Sequence, residues 1–305
     1  MTNPLLWTAE DRVAVDTARV LAADAVERVG NGHPGTAISL APVAYLLYQK
    51  VMRADPSDPQ WVGRDRFVLS IGHSSLTQYA QLLLAGYGLE AEDLAALRTE
   101  GSLTPGHPEY GHAAGIETTT GPLGQGLGNS VGFALGERIM NAAFGNDLVD
   151  HHTYVIAGDG CLMEGISQEA IALAGHLKLN KLIVFWDNNN ISIDGPVSLS
   201  DSTDQVERVK ASGWNAFHID GHDPEAIAKA IEQAKKSDRP TLIAAKTTIG
   251  FGAPTKAGTK AAHGSPLGKD EIAATRKALN WDFPPFVVPD DILSAWREAG
   301  ARGET

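Results

Sequence analysis

Three features of the sequence predict an α/β fold, built on a doubly wound, mainly parallel sheet with helices on both faces. Short apolar runs at 66–71, 153–157, 182–186 and 241–245 have the length and composition of strands buried on both faces. Each run gives way to Gly or polar residues at its C-terminal end. Between the second and third runs, Ile166, Ala170, Leu173, Ala174 and Leu177 fall on one helical face. Residues 153–186 therefore form a βαβ unit, in which a right-handed crossover joins two parallel strands. Sheets of this kind bind ligands at the carboxyl ends of their strands.

The remaining elements follow in order. Thr8 and Asp11 have the spacing of a capping box, and Ala14, Ala18, Leu21, Ala25 and Val29 continue at helical intervals, which predicts a helix over 9–29 stopped by Gly30. Residues 250–270 are rich in Gly, Lys and Thr without periodicity and predict a long loop of the kind that often carries function. Pro284, Pro285 and Pro289 break the chain before a short helix at 290–299, expected to begin a linker rather than to join the core. The expected division is a domain over 1–285 and the start of a linker over 286–305.

The chain has 305 residues, of which 43% are hydrophobic, enough for a substantial core. Lys and Arg number 25 against 37 Asp and Glu, giving a net charge of -12, which argues against a general nucleic-acid or anionic-membrane binder. Any anionic ligand must therefore meet local donors. Cys161 is the single cysteine, so no intrachain disulfide forms and a cytoplasmic location is the default expectation. The first thirty residues carry Asp11, Asp24 and Glu27 and do not resemble a signal peptide, and no run reaches membrane-spanning length.

The chemistry concentrates at the ends of the βαβ strands. The first ends in Gly158-Asp159-Gly160 and the second in Asp187-Asn188-Asn189-Asn190, which brings a carboxylate and a carboxamide side by side. Such a pair suits Mg2+, a hard ion that takes one or two protein oxygens and completes its octahedron with phosphate oxygens and water. The glycines and the helix that follows offer backbone N–H groups to a phosphate. The plainer alternative is a turn followed by an asparagine cap.

These motifs resemble the thiamine-diphosphate fingerprint, and their neighbours narrow the resemblance to the transketolase family. Gly30-Asn31-Gly32-His33-Pro34-Gly35, Pro105-Gly106-His107-Pro108-Glu109, the Thr-Thr-Thr-Gly-Pro-Leu-Gly-Gln-Gly run at 118–126, the Gly158 to Gly165 segment, Ile191-Ser192-Ile193-Asp194-Gly195 and Ile249-Gly250-Phe251-Gly252 all resemble motifs of that family, in order. The resemblance covers about residues 10–285. It implies the thiamine-diphosphate-binding fold: the pyrophosphate-binding part of a longer enzyme that moves a two-carbon ketol unit from a ketose phosphate to an aldose phosphate.

The resemblance also assigns roles. It implies Asp159, Asn189 and the Ile191 carbonyl as ligands of Mg2+, with Ca2+ or Mn2+ as substitutes. Gly160, His73 and His263 would meet the diphosphate, and backbone at Gly121 and Leu123 the aminopyrimidine ring. His33 and His107, with His263, would face the reacting carbon and substrate oxygens, where a group titrating near neutrality can hold or move a proton. Glu164 would sit by the cofactor at a dimer interface, near a glutamate of the second chain. That glutamate belongs to a pyrimidine-binding domain or subunit expected beyond residue 305. The partners implied are sugar phosphates, that domain and a second copy.

His151, His152, His176, His218 and His222 stand outside any motif and are expected to be surface or satisfied structural groups; His112 has no clear counterpart. Lys246, Lys256 and Lys260 are expected to be solvated. Cys161, Phe185 and Trp186 fit a core role. Asn188 stands where many transketolases have Asp, a change that leaves the neighbouring ligand in place. The alternatives are half of another thiamine enzyme, such as a decarboxylase or deoxyxylulose-phosphate synthase, and a non-catalytic cofactor-binding or assembly module. The likeness of 281–296 to single-chain transketolases favours a piece of a longer chain over one subunit of a split enzyme.

Overall fold

A computed structural model describes residues 6–300. Five parallel strands form the central sheet: β1 (Arg66–Leu69), β2 (Thr153–Gly158), β3 (Leu182–Asn188), β6 (Asn215–Asp220) and β7 (Thr241–Lys246), in the spatial order β1-β2-β3-β7-β6. A small antiparallel pair, β4 (Ile191–Ser192) with β5 (Gly195–Pro196), follows β3. The helices are α1 (Ala9–Val29), α2 (Pro34–Ser39), α3 (Ala41–Leu46), α4 (Leu76–Ala85), α5 (Ala91–Ala95), α6 (Gln125–Phe144), α7 (Asp159–Met163), α8 (Gly165–His176), α9 (Gln205–Ala211), α10 (Pro224–Lys235), α11 (Lys269–Leu279) and α12 (Asp290–Gly300).

Strand order explains why both faces of the sheet are covered. The chain moves from β2 to β3 in one direction across the sheet and from β6 to β7 in the other. With both crossovers right-handed, α8 and α10 fall on opposite faces. α6 packs on β1 and β2 and against α8, whereas α10 packs on β6 and β7 and against α3, which leads on to α1. Covered on both sides, β2 is buried along its whole length and β3 along all but its last residue, in keeping with their unbroken apolar sequence.

The capping box of α1 forms as its spacing predicts, and Gly30 ends the helix in the left-handed conformation, φ 75°. The four expected strands are present, each within two residues of its predicted end. β6 was not visible in the sequence: it is an edge strand in which only Ala216 is buried and the other residues are half-buried or exposed, so it has no apolar run. Two further expectations fail. Trp296, 2% exposed, and Ile292 join the main core, with α12 packed on α4 and α1, so this helix is part of the body and not a departing segment. An amphipathic helix of this kind buries its apolar stripe wherever a groove accepts it. The predicted stripe of α8 also splits: Ala174 is buried, but Ile166 and Leu173 are 53% and 47% exposed, and Ser167, Ile171 and Gly175 take the inner positions instead. Among the described residues no helix is long and apolar enough to cross a membrane.

Candidate active site

The carboxyl ends of β1, β2 and β3 open into a cavity of about 370 Å3 lined by His33, His73, His107, His263, Leu123, Asp159, Gly160, Asn189 and Ile191. Segments far apart in sequence deliver these groups. Gly158 of β2 pairs with Asp187 of β3, which sets Asp159 and Asn189, just past those positions, on one wall. The Trp186 indole donates to Asp159 Oδ1 at 3.0 Å and so fixes the carboxylate from the neighbouring strand. Asn189 Oδ1 accepts from the Ile191 amide at 2.8 Å, a tight turn that carries Ile191 to the same wall.

The histidines come from four loops. His33 lies between the end of α1 and Pro34 at the first position of α2, a residue that holds its predecessor out of helical geometry. His73 sits in a single 3-10 turn after β1, and His263 directly follows a similar turn at Lys260–Ala262. The His33 ring centre is 4.9 Å from that of His73 and 5.6 Å from that of His263. His107 is held by its carbonyl, which accepts from the Tyr79 hydroxyl at 3.2 Å.

Burial decides the charge state of these groups. It lowers the pKa of His33 to about 4 and of His73 to about 3, with neighbouring rings and Arg98 adding to the effect, and it lowers His107 and His263 in the same direction. Near neutral pH the rings are uncharged, each offering one N–H donor and one acceptor. The carboxylates respond in the opposite sense: burial, then the charge of Asp187, raises Asp159 to about 7, and burial raises Asp187 to about 6. At Asp159, burial and the charge of Asp187 outweigh the opposing charge of Lys246, an environment that a divalent ion would relieve.

A larger open cleft of about 890 Å3 lies between α1, α5 and α11. Its buried Asp24 pairs with Arg276, and none of the histidines or strand-end residues singled out above lines it.

Not every expected residue reaches the cavity. Gly121 is not among the lining residues but lies next to one, since a Cβ there would stand 3.7 Å from the His107 ring. Glu164 is outside, on the exposed surface beside Ile166. His151 departs from the expected surface or satisfied state: it is 2% exposed and neither ring nitrogen has a partner among the described residues. His222 is structural, accepting from the Thr248 amide at 2.8 Å and lying against Phe251. Lys246, Lys256 and Lys260 stay out of the cavity lining. The site also contains Thr36, Ile71, Asp187, Ser192 and Ile193, to which the sequence reading gave no role. Asp187 had a signal, since it stands two residues before Asn189 at the same strand end.

Residues 10–305 match the family described as transketolase, thiamine diphosphate binding domain. The chain belongs to that family. It is 54% identical over 299 residues to a transketolase of Cereibacter sphaeroides, a match that takes in 98% of this chain and 46% of the relative. A transketolase of Sinorhizobium medicae is 52% identical over 298 residues, 97% of this chain and 43% of the relative. Among solved structures, a Pichia stipitis transketolase in complex with sedoheptulose 7-phosphate superposes with a TM-score of 0.94 at 45% identity, covering 97% of this chain and 45% of the other. The Campylobacter jejuni transketolase gives 0.95 at 42% identity, over 98% and 47%. The chain thus spans a little under half the length of the transketolases it matches.

Proposed function

We infer that the strand-end cavity holds the diphosphate end of thiamine diphosphate through a divalent cation, Mg2+ in the first instance, and that the chain is the pyrophosphate-binding part of a transketolase. The observation that carries this reading is the β2–β3 register, which puts Asp159 and Asn189 on one wall facing histidines from four separate loops.

The residues fit the group. Among the described residues no three His, Cys, Asp or Glu side chains converge on one metal position, so a cation here would need oxygens from a bound ligand as well as from the protein. A carboxylate, a carboxamide and the Ile191 carbonyl are a donor set of that kind. His263 lines the cavity, and its Nδ1 is buried with no hydrogen-bond partner among the described residues, a polar atom in want of one. Bound there, thiamine diphosphate would supply the chemistry that breaks and forms the carbon–carbon bond.

The chain's own groups would hold and orient. Asp159, Asn189 and the Ile191 carbonyl take the cation, while the Gly160 amide, His73 and His263 donate to phosphate oxygens. Uncharged imidazoles suit that task without carrying a buried positive charge. Gly121 and Leu123 offer backbone and an apolar edge to the aminopyrimidine. His33 and His107, which also line the cavity, can pass a proton to or from a substrate hydroxyl. Sugar phosphates as substrates, a second copy as partner and a pyrimidine-binding part that supplies the glutamate belong to this same reading. Glu164, on the surface, fits a contact with that second copy better than one with the cofactor.

Titration calorimetry with thiamine diphosphate tests it. Asp159→Ala or Asn189→Ala is expected to remove the Mg2+-dependent part of binding, by about 10-fold or more, whereas His107→Ala keeps it. Unchanged affinity in both metal-site variants contradicts the assignment.

A further inference from the structure

Asp187 has no place in the assignments above, yet it is 1% exposed, and no cationic side chain pairs with it among the described residues. Its three side-chain partners are neutral: Thr247 donates to Oδ1, the Asn189 amide nitrogen donates to Oδ2 at 2.8 Å, and the Thr36 hydroxyl completes the set. A buried carboxylate satisfied only by neutral groups is costly, and a core position at the end of β3 would be served better by an apolar side chain.

What the carboxylate does is remove an ambiguity. The two ends of a carboxamide have nearly the same shape, and only one of them can bind a cation. An ionised carboxylate accepts hydrogen bonds and cannot donate, so it can face only the nitrogen end of the Asn189 amide. Oδ1 is thereby turned the other way, where it accepts from the Ile191 amide at 2.8 Å, and both Asn189 and Ile191 line the cavity. The two contacts require the same orientation. Thr247 on the loop after β7 and Thr36 on α2 hold Asp187 itself, so three segments of the fold converge on the rotation of one amide.

We propose that Asp187 is the positioning residue of the cation site: by binding the amide nitrogen of Asn189, it presents Oδ1 rather than Nδ2 to the metal. This rests on the reading of the cavity as a metal–diphosphate site.

The test compares Asp187→Asn with the exchange variant Asp187→Asn/Asn189→Asp, using Mn2+ titrated by electron paramagnetic resonance at saturating thiamine diphosphate. An amide at 187 can face either end of the Asn189 amide, so the single variant is expected to bind Mn2+ roughly 10–100-fold more weakly. In the exchange variant the group at 189 has two equivalent oxygens. One accepts from the amide at 187 and the other serves the ion, so most of the lost affinity returns. Parent-like affinity in Asp187→Asn overturns the proposal, as does an exchange variant no better than the single one, which is what a purely structural role gives. If the parent's Mn2+ binding is not weakened by Asp159→Ala, the metal-site reading fails, and the positioning role fails with it.

Discussion

Gly35 is the position at which packing and the site are most tightly joined. It lies in the first turn of α2, against the loop that carries His263: a Cβ there would stand 2.2 Å from the Ala262 carbonyl oxygen and 2.6 Å from Ile249 Cγ1. The obstacle is backbone, which cannot rotate away as a side-chain tip can. The Gly35 carbonyl also accepts from the Gly250 amide at 3.0 Å, so the two segments cannot slide freely. Gly35→Ala must push them apart by about 1 Å, and overpacking of this kind costs about 1–3 kcal/mol. His33 lies two residues before Gly35 and His263 one after Ala262, with ring centres 5.6 Å apart, so the strain falls between two site histidines. A misplacement of about 1 Å can cost on the order of 100-fold in turnover. Urea denaturation gives the stability change, and ketol-transfer rates in the assembled enzyme give the functional one. Gly136→Ala is the control: nothing lies within 4 Å of its added Cβ, and removing a glycine from the interior of α6 is expected to be neutral or to stabilise by about 0.5–1 kcal/mol. A Gly35→Ala protein with parental stability and turnover refutes the reasoning.

Two further outcomes follow from burial. The rings of His33 and His73, with pKa about 4 and about 3 in the fold, titrate at 6.5 when unfolded, so the unfolded chain binds more protons below that pH and stability attributable to them falls as pH drops from about 6.5 toward 4. Asp159 and Asp187 act in the opposite sense, losing stability as pH rises from 3.8 toward about 7 and about 6, so the readout is the difference between the parent and His73→Asn. That variant should show the shallower loss between pH 6.5 and 4, and parallel curves would contradict the burial argument. Ile166 and Leu173 form an exposed apolar face, so Ile166→Glu with Leu173→Glu should leave folding stability within about 0.5 kcal/mol while reducing self-association in sedimentation experiments. A large drop in stability would place these side chains inside the fold.

The sheet centre and the strand-end part of the candidate site were legible because their signals are local. A strand buried on both faces is an apolar run, and a strand end that binds a ligand is a run of Gly and polar residues, so β2, β3, Asp159 and Asn189 stand out from sequence alone. β6 does not, because an edge strand with one open face need not be apolar. The docking of α12 and the rotation of α8 depend on grooves formed by other segments, about which the local pattern carries no information. Asp187 illustrates a subtler loss. Its position was plain, but its task depends on Thr247 and Thr36, which only the folded sheet brings to it.

On the proposed function, this chain holds one half of a two-part active site. This is tested most directly by measuring ketol transfer from xylulose 5-phosphate to ribose 5-phosphate with the purified chain, Mg2+ and thiamine diphosphate in excess, first alone and then mixed with a transketolase pyrimidine-binding half. No turnover alone and turnover on mixing is the predicted result. Turnover by the chain alone at an ordinary enzyme rate, roughly 1–1000 per second, would contradict it.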